Sequence, residues 1–497
     1  MGRVYLVGAG PGDLKLITLR GLELIQRADV IIYDFLVNPR LLDFCREGAE
    51  IIYVGKQASH HELPQPDINN LIIQKTRENE VVVRLKGGDP FIFGRGGEEA
   101  QVLAENGIPF EIIPGITSAI AVPAYAGIPL THREYASTVA FITGHEDEKK
   151  VTSTIRWEEL AAGPDTLVFL MGVKNLKTIK DRLIKGGRSP NTGACLIQWG
   201  TLPGQRVVAG TLGDIDVLAR REGIKPPAII LIGNVVKLRN HLSWFENRPL
   251  FGKKIAITRA PHQSLKLGEL LTERGADVLY MPTIVITPIE PNSKLERAID
   301  SIETYPFILF TSTNAVSIFF DSLFRKGRDA RALSGAKVLP IGPATATLLQ
   351  SKGIIPDFLP GKFTSEGIIE ILKTIDVKGE QFLLPRAEEA RDIIVEYIKD
   401  HGGSCDVVPV YKASLPKEIV PISEKPDIVT FTSSSTVRNF IALYGKQTLE
   451  DTLIASIGPV TTGTLRDHGF QAHIEAERYD IPGLVEAIEQ YVRGRSE

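Results

Sequence analysis

Cysteine is scarce in this chain, and its scarcity excludes several ways of holding a protein together. The only three cysteines among the 497 residues, Cys45, Cys195 and Cys405, lie far apart, and none belongs to a CxxC pair. Disulfide frameworks and cysteine-based metal sites are therefore not expected. A reducing cytoplasm is the predicted location.

Long apolar runs are missing too. A bilayer-spanning helix needs about 18–20 consecutive apolar residues, and no run in the sequence approaches that length. The N-terminus lacks the basic segment and long apolar stretch that are typical of a signal peptide. No association with a membrane is therefore expected.

An excess of charge of either sign is also absent. The chain has 57 Lys and Arg against 60 Asp and Glu, which leaves a net charge of −3. No overall field attracts nucleic acid, so nucleic-acid binding is not expected. An anionic ligand would have to be bound by local Arg or Lys side chains or by backbone N–H groups.

What the chain does contain is an alternation of β-branched runs with amphipathic segments, which predicts α/β architecture. The segments 14–28 and 65–80 read as helices. After about residue 116 a second series begins, and it runs to about Val236. The polar and aromatic segment 239–254 reads as a linker, with the main boundary at 245–251. The predicted strands are RVYLVGAG, DVIIYD, EIIYVG, VVVRLKGGD and FEIIPG, then TVAFITG, DTLVFLMG, GACLIQWG, QRVVAGTL and AIILIGNVV.

The first strand ends in a glycine-rich turn, GAGPGD, at residues 8–13. Glycines here tighten the turn and let a ligand approach the backbone. The spacing is G-x-G-x-G rather than the G-x-G-x-x-G of dinucleotide folds, and Pro11 removes an N–H that a pyrophosphate would use. Asp34, at the end of DVIIYD, would bind a ribose hydroxyl in such a fold. A nucleotide-dependent oxidoreductase and a bare structural turn both stay open at this point.

Two further loops follow later strands of the same series. RLKGGDPFIFGRGGEE (84–99) is rich in glycine, and PGITSAIAVPAYAGIPLTHR (114–133) combines Pro/Gly turns with Thr117 and Ser118. Strand ends of an open α/β sheet meet at one edge, so these loops predict a ligand clamped between backbones. Three turns that only pack together are the structural alternative. Five cationic side chains in these loops could meet substrate carboxylates: Arg84, Lys86, Arg95, His132 and Arg133.

The C-terminal half contains an internal repeat. Each copy has strand-to-helix turns rich in Thr and Ser, which predicts two similar α/β lobes produced by duplication. The hydroxyl groups would bind carboxylates, or would only cap the helices that follow. A protein that captures a ligand between two lobes without turnover is therefore an alternative. The matching segments are 253–276 with 379–403, 308–320 with 428–440, and 338–353 with 454–469.

The series GAGPGD, YDFLV, VGK, RLKGGDPFIFGRGGEE, PGITSA and GIPLTHR resembles the uroporphyrinogen-III C-methyltransferases of the tetrapyrrole methylase family over about residues 1–240. The resemblance implies a fold of two α/β subdomains, about 1–115 and 116–240. It implies S-adenosylmethionine as methyl donor, uroporphyrinogen III as acceptor and precorrin-2 as product. It also implies a homodimer formed through this half. The implied S-adenosylmethionine contacts are Pro11, Gly87, Gly88, Asp89, Ile92, Thr117, Ser118, Met171 and Gly200.

The same resemblance implies catalytic roles for two residues. Asp34 in YDFLV corresponds to the proposed proton acceptor and Lys56 in VGK to the proposed proton donor. A ribose ligand or loop cap is the alternative for Asp34, and a clamp for substrate carboxylates is the alternative for Lys56. Trp199 stands where the family usually has the Asn of NGT or NAT, which weakens the assignment of Gly200. No metal site is expected, since the adjacent His60 and His61 suggest no third ligand.

The series KIAITRA, YMPTIVITP, FTSTNAV, IGPATA, LLPRAEEARD, VPVYK, FTSSSTV and IGPVTT resembles uroporphyrinogen-III synthase over about residues 252–497. The resemblance implies a two-lobed, flavodoxin-like α/β fold, with lobe 1 at about 252–287 plus 410–497 and lobe 2 at about 288–409. It implies cyclisation of hydroxymethylbilane to uroporphyrinogen III without a cofactor.

Tyr411 in VPVYK corresponds to the tyrosine proposed to assist departure of the hydroxyl group, with an aromatic that only packs between the lobes as its alternative. The two resemblances together predict one chain with consecutive activities, serving sirohaem or cobalamin synthesis through polycarboxylate tetrapyrroles. The implied substrate-binding residues of this half are Thr345, Thr461, Arg259, Arg386 and Ser433.

Overall fold

The computed structural model describes residues 2–55, 63–145, 154–390, 392–422 and 424–495. It divides the chain into two compact units, the first built mainly from residues up to Lys254 and the second mainly from Ile255 to Tyr491. Each unit contains two five-stranded sheets, so the α/β class predicted from the strand–helix alternation is confirmed. No helix among the described residues is both long and apolar enough to cross a bilayer.

The first sheet is entirely parallel, with strand order β3-β2-β4-β1-β5. Its strands are Val- and Ile-rich and are covered on both faces by apolar clusters, as parallel sheets require. The segment 14–28, predicted as one helix, is broken at Thr18, whose hydroxyl accepts from the N–H of Gly21 and caps the helix that follows. The elements are β1 Arg3–Gly8, α1 Leu19–Arg27, β2 Val30–Tyr33, β3 Glu50–Tyr53, α2 Gln65–Glu78, β4 Val81–Lys86, α3 Gly96–Glu105, β5 Phe110–Ile113 and α4 Ser118–Tyr125.

The second sheet is mixed, with order β6-β7-β10-β8-β9. The alternation of strands and helices in the sequence predicts a parallel sheet. Strands β8 and β9 are nevertheless antiparallel. Only seven residues connect these two strands, which is too few for a parallel crossover. The elements are β6 Val139–Thr143, α5 Trp157–Ala162, β7 Thr166–Leu170, α6 Leu176–Lys185, β8 Gly193–Gln198, β9 Arg206–Thr211, α7 Ile215–Arg221, β10 Ala228–Ile232 and α8 Arg239–Leu242.

The segment 239–254, expected as a linker, packs against the first unit. The indole of Trp244 donates to the carbonyl of Ala124, 3.0 Å away, and lies edge-on to Tyr125. Phe245 and Leu250 are buried. The aromatic residues that interrupt the polar pattern therefore pack on α4, with Phe245 buried and Trp244 still 45% exposed.

The second unit repeats one arrangement in two sheets, with orders β12-β11-β18-β19-β20 and β13-β17-β16-β14-β15. The strands of the repeat, β11, β18 and β19, run in the same order as β16, β14 and β15, so the duplication predicted from sequence is visible in the topology. The strands are β11 Lys254–Ile257, β12 Asp277–Tyr280, β13 Val285–Pro288, β14 Phe307–Phe310, β15 Lys337–Pro340, β16 Gln381–Ala387, β17 Ser404–Ser414, β18 Ile428–Phe431, β19 Leu453–Ser456 and β20 Ile474–Glu475.

The helices of this unit follow the repeated strands. One sheet is built from both ends of the unit and the other, which includes β13 and all of β17, from its middle. The helices are α9 Pro261–Glu273, α10 Ser293–Asp300, α11 Thr313–Arg325, α12 Pro343–Ser351, α13 Ser365–Leu372, α14 Ile393–Asp400, α15 Ser434–Tyr444, α16 Pro459–Asp467 and α17 Ile481–Arg493.

Strand β17 carries a bulge where it pairs with β16. The register shifts so that Arg386 faces Pro409 while the next residue, Ala387, faces Tyr411. Val408, Val410 and Tyr411 consequently all join the apolar cluster formed with α10 and α11. Strict alternation would have sent Tyr411 to the opposite face of the sheet.

Three glycines meet where the loops after β1, β4 and β5 converge. A Cβ at Gly115 would lie 2.3 Å from the carbonyl oxygen of Gly88 and 2.6 Å from the Cα of Gly8. Both neighbours are backbone atoms, so a side chain fits only if a loop moves.

We expect Gly115→Ala to destabilise the first unit by about 2 kcal/mol, the usual scale for overpacking. All three tryptophans, Trp157, Trp199 and Trp244, belong to this unit, so urea unfolding followed by tryptophan fluorescence reports on it. Gly97→Ala is the matched control, because no atom lies within 4 Å of its added methyl group. Equal midpoints for the two variants would contradict the packing argument.

Candidate functional site

The first candidate site lies at the carboxyl edge of the parallel sheet, where strand β1 sits between β4 and β5. Gly10 and Gly88 pair as an isolated antiparallel bridge, with N–H to oxygen distances of 3.2 and 2.7 Å. Both have positive φ, 77° and 70°, which glycine adopts without a steric cost. The glycine-rich loops predicted from sequence are thus brought together, backbone against backbone.

Asp89 joins the second loop to the third. One carboxylate oxygen accepts from the N–H groups of Phe91 and Ile92, at 2.8 and 3.1 Å, and the other accepts from the N–H of Gly115 at 3.0 Å. Asp89 is a predicted cofactor contact, and its carboxylate holds these two loops together.

The third loop leads directly into α4. Thr117 caps that helix through its hydroxyl, which accepts from the N–H of Ala119, and Ser118 is the first helical residue. A Cβ on Gly88 would lie 3.7 Å from the N atom of Ser118, which is van der Waals contact distance. Thr117 and Ser118, both predicted cofactor contacts, therefore lie next to the loop that contains Gly88.

The loop after β8 brings the second sheet to the same place. The N–H of Asp13 donates to the Thr201 hydroxyl at 3.1 Å, and the Tyr125 hydroxyl donates to the carboxylate of Asp13 at 2.7 Å. Burial, together with that hydrogen bond, raises the pKa of Tyr125. Gly200 packs on α4, since a Cβ there would lie 2.4 Å from Val122. Pro11 is half-buried in the first loop, beside Gly12 and Asp13.

Backbone strain concentrates in these loops. Of the six described non-glycine residues with positive φ, four lie there, one follows β7 in the same unit, and the sixth is Asp451 in the second unit. Such conformations cost of the order of 1–3 kcal/mol and cluster at ligand sites. The five in the first unit are Phe93, Arg95, Met171, Trp199 and Thr201, with φ between 50° and 70°.

Asp34 follows β2 and lies at the mouth of a buried charge cluster. Its carboxylate is 3.4 Å from the guanidinium of Arg84, which in turn is 3.2 Å from the carboxylate of Glu99. The ammonium of Lys86 lies 2.9 Å from the same Glu99 oxygen. Burial first, and then the neighbouring Arg84 cation, lower the pKa of Lys86, while Glu99 opposes the shift.

This cluster corrects one expectation. Arg84 and Lys86, predicted as cations that could meet substrate carboxylates, are almost fully buried and pair with Glu99 instead. Arg95 is exposed and pairs with Glu98. Glu99 was missed in the sequence because nothing in the order of residues shows that a helix carboxylate reaches two strand cations. Lys56, together with His60 and His61, lies outside the described residues.

The second candidate site uses equivalent strand ends of the repeated sheets. Arg259 lies two residues after the end of β11, and Arg386 lies near the end of β16, at the matching position of the other copy. Arg259 donates to the side-chain oxygen of Gln263 at 3.4 Å, and burial lowers the pKa of Arg259. Arg386 is buried and pairs with Asp392.

Hydroxyl groups occupy further equivalent turns. Thr345 and Thr461 are buried in the first turns of α12 and α16. Ser433 caps α15, and its oxygen accepts from the N–H of Thr436 at 3.3 Å. Ser312, which sequence analysis did not select, caps α11 in the same way and was recoverable from the repeat.

Tyr411 reaches this group of turns from β17. It is only 7% exposed, and its hydroxyl donates to the Ser312 oxygen at 3.1 Å. Tyr411 packs within the core of one lobe rather than between the lobes, as its alternative had it, and its polar end faces a strand-end turn. Gln263 of α9 also donates to Asn314 of α11 at 3.2 Å, which connects helices belonging to the two sheets.

Comparisons with known proteins address both halves. Residues 3–216 match the family model "Tetrapyrrole (Corrin/Porphyrin) Methylases", and residues 266–486 match "Uroporphyrinogen-III synthase HemD". The uroporphyrinogen-III C-methyltransferase of Bacillus subtilis is 44% identical over 71% of this chain and 72% of its own. A crystal structure of the uroporphyrin-III C-methyltransferase from Thermus thermophilus with S-adenosyl homocysteine has 38% identity and a TM-score of 0.41, covering 48% of this chain and all of its own.

One relative spans both halves. The porphyrin biosynthesis protein HemD of Ruminiclostridium josui is 40% identical over 98% of this chain and 97% of its own length. The methylase match precedes the synthase match along the chain, in the order that the sequence motifs predict. The chain therefore belongs to the family of this HemD protein and is a bifunctional enzyme of tetrapyrrole biosynthesis.

Proposed function

We propose that the second unit cyclises hydroxymethylbilane to uroporphyrinogen III and that the first unit methylates this product twice to precorrin-2. S-adenosylmethionine, when bound, supplies an electrophilic methyl group. The observation that carries the methyltransferase assignment is the convergence of the Gly8, Gly88 and Gly115 backbones at one sheet edge, in a chain whose residues 3–216 match the methylase family.

The residues around these loops suit an adenosyl and amino-acid ligand. Backbone N–H and C=O groups of glycine loops hold polar groups at close range. Ile92 and Met171, two large apolar side chains among the predicted contacts, stay 37% and 54% exposed. Apolar surface beside converging polar groups is typical of cofactor sites. We assign the donor to this place, with Ile92 and Met171 covering its apolar parts.

We assign proton removal from the methylated macrocycle to Asp34. A pyrrole carbon that accepts a methyl group becomes quaternary and leaves the ring cationic until a proton departs from another position of the macrocycle, and a positioned carboxylate accelerates such a step. Asp34 is partly exposed, and Arg84 touches one carboxylate oxygen. Because Arg84 is itself held by Glu99, one carboxylate oxygen has a fixed cation beside it, while the other accepts from the N–H of Leu36 at 3.3 Å.

In the second unit we assign the binding of substrate carboxylates to Arg259 and Arg386. We assign further hydrogen bonds with the substrate to the hydroxyl groups of Thr345, Thr461 and Ser433. The equivalent placement of the two arginines suits a chain of similar rings that carries acid groups at both ends. The Tyr411 hydroxyl, oriented by Ser312, assists departure of the hydroxyl group of hydroxymethylbilane. The homodimer implied by the resemblance is also proposed, and light scattering on the full chain measures it.

A coupled assay tests the whole assignment. The full chain, supplied with hydroxymethylbilane and S-adenosylmethionine under anaerobic conditions, should form precorrin-2 and release two S-adenosylhomocysteine molecules per tetrapyrrole. Without the methyl donor, uroporphyrinogen III should accumulate. Binding of NADPH by the first unit, with no binding of S-adenosylhomocysteine, would instead favour the oxidoreductase alternative.

Replacing Asp34 with Asn should separate binding from chemistry. We expect methyl transfer to fall about 10²-fold or more, the lower range for a lost general base, while S-adenosylhomocysteine affinity measured by calorimetry is retained. Asp43→Asn, an exposed acid in the same region, is the control. Near-normal methylation by the Asp34 variant would reject the base assignment.

Tyr411→Phe should lower synthase turnover about tenfold, because it removes the hydroxyl but keeps the buried ring. Methylation of added uroporphyrinogen III by the same preparation is the internal control and should not change. Tyr305→Phe is matched to it, since Tyr305 is another buried tyrosine of the same core, and its hydroxyl donates to Asp406 at 2.7 Å. An equal loss of synthase activity in both variants would make the Tyr411 effect structural.

A further inference from the structure

Two aromatic side chains in the first unit are exposed together at the mouth of the site. Phe35, in the loop after β2, and Trp199, in the loop after β8, have ring centroids 6.4 Å apart and planes tilted by 59°. They remain 56% and 40% exposed. Aromatic side chains are usually buried in folded proteins. An exposed aromatic pair beside a cleft therefore indicates a surface that a ligand covers.

The backbone at Trp199 makes its side chain harder to explain by folding alone. Its φ is 50°, a left-handed conformation that Gly and Asn adopt more easily than a bulky aromatic residue. The turn holds it there: the N–H of Trp199 donates to the Pro227 carbonyl, and its own carbonyl accepts from Leu202. A strained, exposed tryptophan contributes little to stability, which leaves ligand contact as its role.

The positions of the two rings define which ligand they meet. Phe35 directly follows Asp34, the proposed proton acceptor, and Trp199 directly precedes Gly200. The loops with the converging glycines follow β1, β4 and β5, so Phe35 belongs to none of them. The pair thus joins the sequence neighbour of the proposed proton acceptor to the sequence neighbour of a predicted donor contact.

We propose that Phe35 and Trp199 bind the face of the pyrrole ring undergoing methylation and stabilise its transient positive charge. This inference rests on the proposed methyltransferase function. The pyrrole carbon takes the methyl group with its own π electrons, while the C–S bonding pair stays on sulfur. The ring is then cationic until a proton passes to Asp34. Aromatic faces attract such a cation, and tryptophan does so most strongly.

Three variants test the proposal: Trp199→Leu, Trp199→Phe and Phe35→Leu. We expect Trp199→Leu to lower kcat/KM for uroporphyrinogen III about tenfold, in keeping with the loss of one cation–π contact, and Trp199→Phe to recover much of that loss. Phe35→Leu should have a smaller effect. The double Leu variant should lose less than the product of the single effects, because the rings act on one substrate ring.

Calorimetry with S-adenosylhomocysteine supplies a readout that does not depend on turnover. All three variants should bind it as the unaltered chain does, which also shows that they are folded. Trp244→Leu is the matched control, because Trp244 is a similarly exposed tryptophan of the same unit that packs on Tyr125 instead. It should leave both measurements unchanged.

Two results would overturn the proposal. If Trp199→Leu weakened S-adenosylhomocysteine binding but left kcat/KM for the tetrapyrrole unchanged, Trp199 would contact the methyl donor rather than the tetrapyrrole. Unchanged values for both ligands in Trp199→Leu would leave the ring without a binding role. Failure of the proposed function itself looks different, since the unaltered chain would then neither bind S-adenosylhomocysteine nor methylate.

Discussion

The contact of three glycine backbones at the edge of the first sheet is the constraint on which the N-terminal unit depends. An added Cβ at Gly8 or Gly115 would collide with backbone atoms, and Gly88 adopts a φ of 70° that favours glycine. The three loops can therefore approach this closely only with glycine at these positions. Asp89 then fastens the second loop to the third. The surface that these loops expose is therefore mostly backbone. A few apolar side chains with strained backbone conformations surround it.

The cations of the two candidate sites differ in their partners. In the first unit, Arg84 and Lys86 share the Glu99 carboxylate, which compensates part of their charge inside the fold. In the second unit, Arg386 pairs with Asp392, whereas no carboxylate among the described residues pairs with Arg259, which contacts the amide of Gln263. An arginine without a fixed counter-ion keeps its attraction for an incoming acid. The first arrangement suits an orienting role and the second suits binding of a polycarboxylate.

Sequence patterns predicted the strands, the convergence of the glycine loops and the duplicated half, because each depends on local residue type. Short Val- and Ile-rich runs are typical of strands. Glycine directly after such a strand indicates that another backbone or a ligand approaches closely there. The partnership of Arg84 and Glu99 was not predicted, because it depends on how α3 packs against β4. The folded segment 239–254 was misread for a similar reason: its aromatic residues find partners more than a hundred positions earlier.

The bulge in β17 has a consequence for how this part of the chain can change. Tyr411 reaches Ser312 only because one extra residue before it turns its side chain to the face of α11. A substitution at Val410 alters packing, whereas loss of that one residue would point the tyrosine at the other side of the sheet. Chain length between Pro409 and Tyr411 is thus under tighter constraint than residue identity.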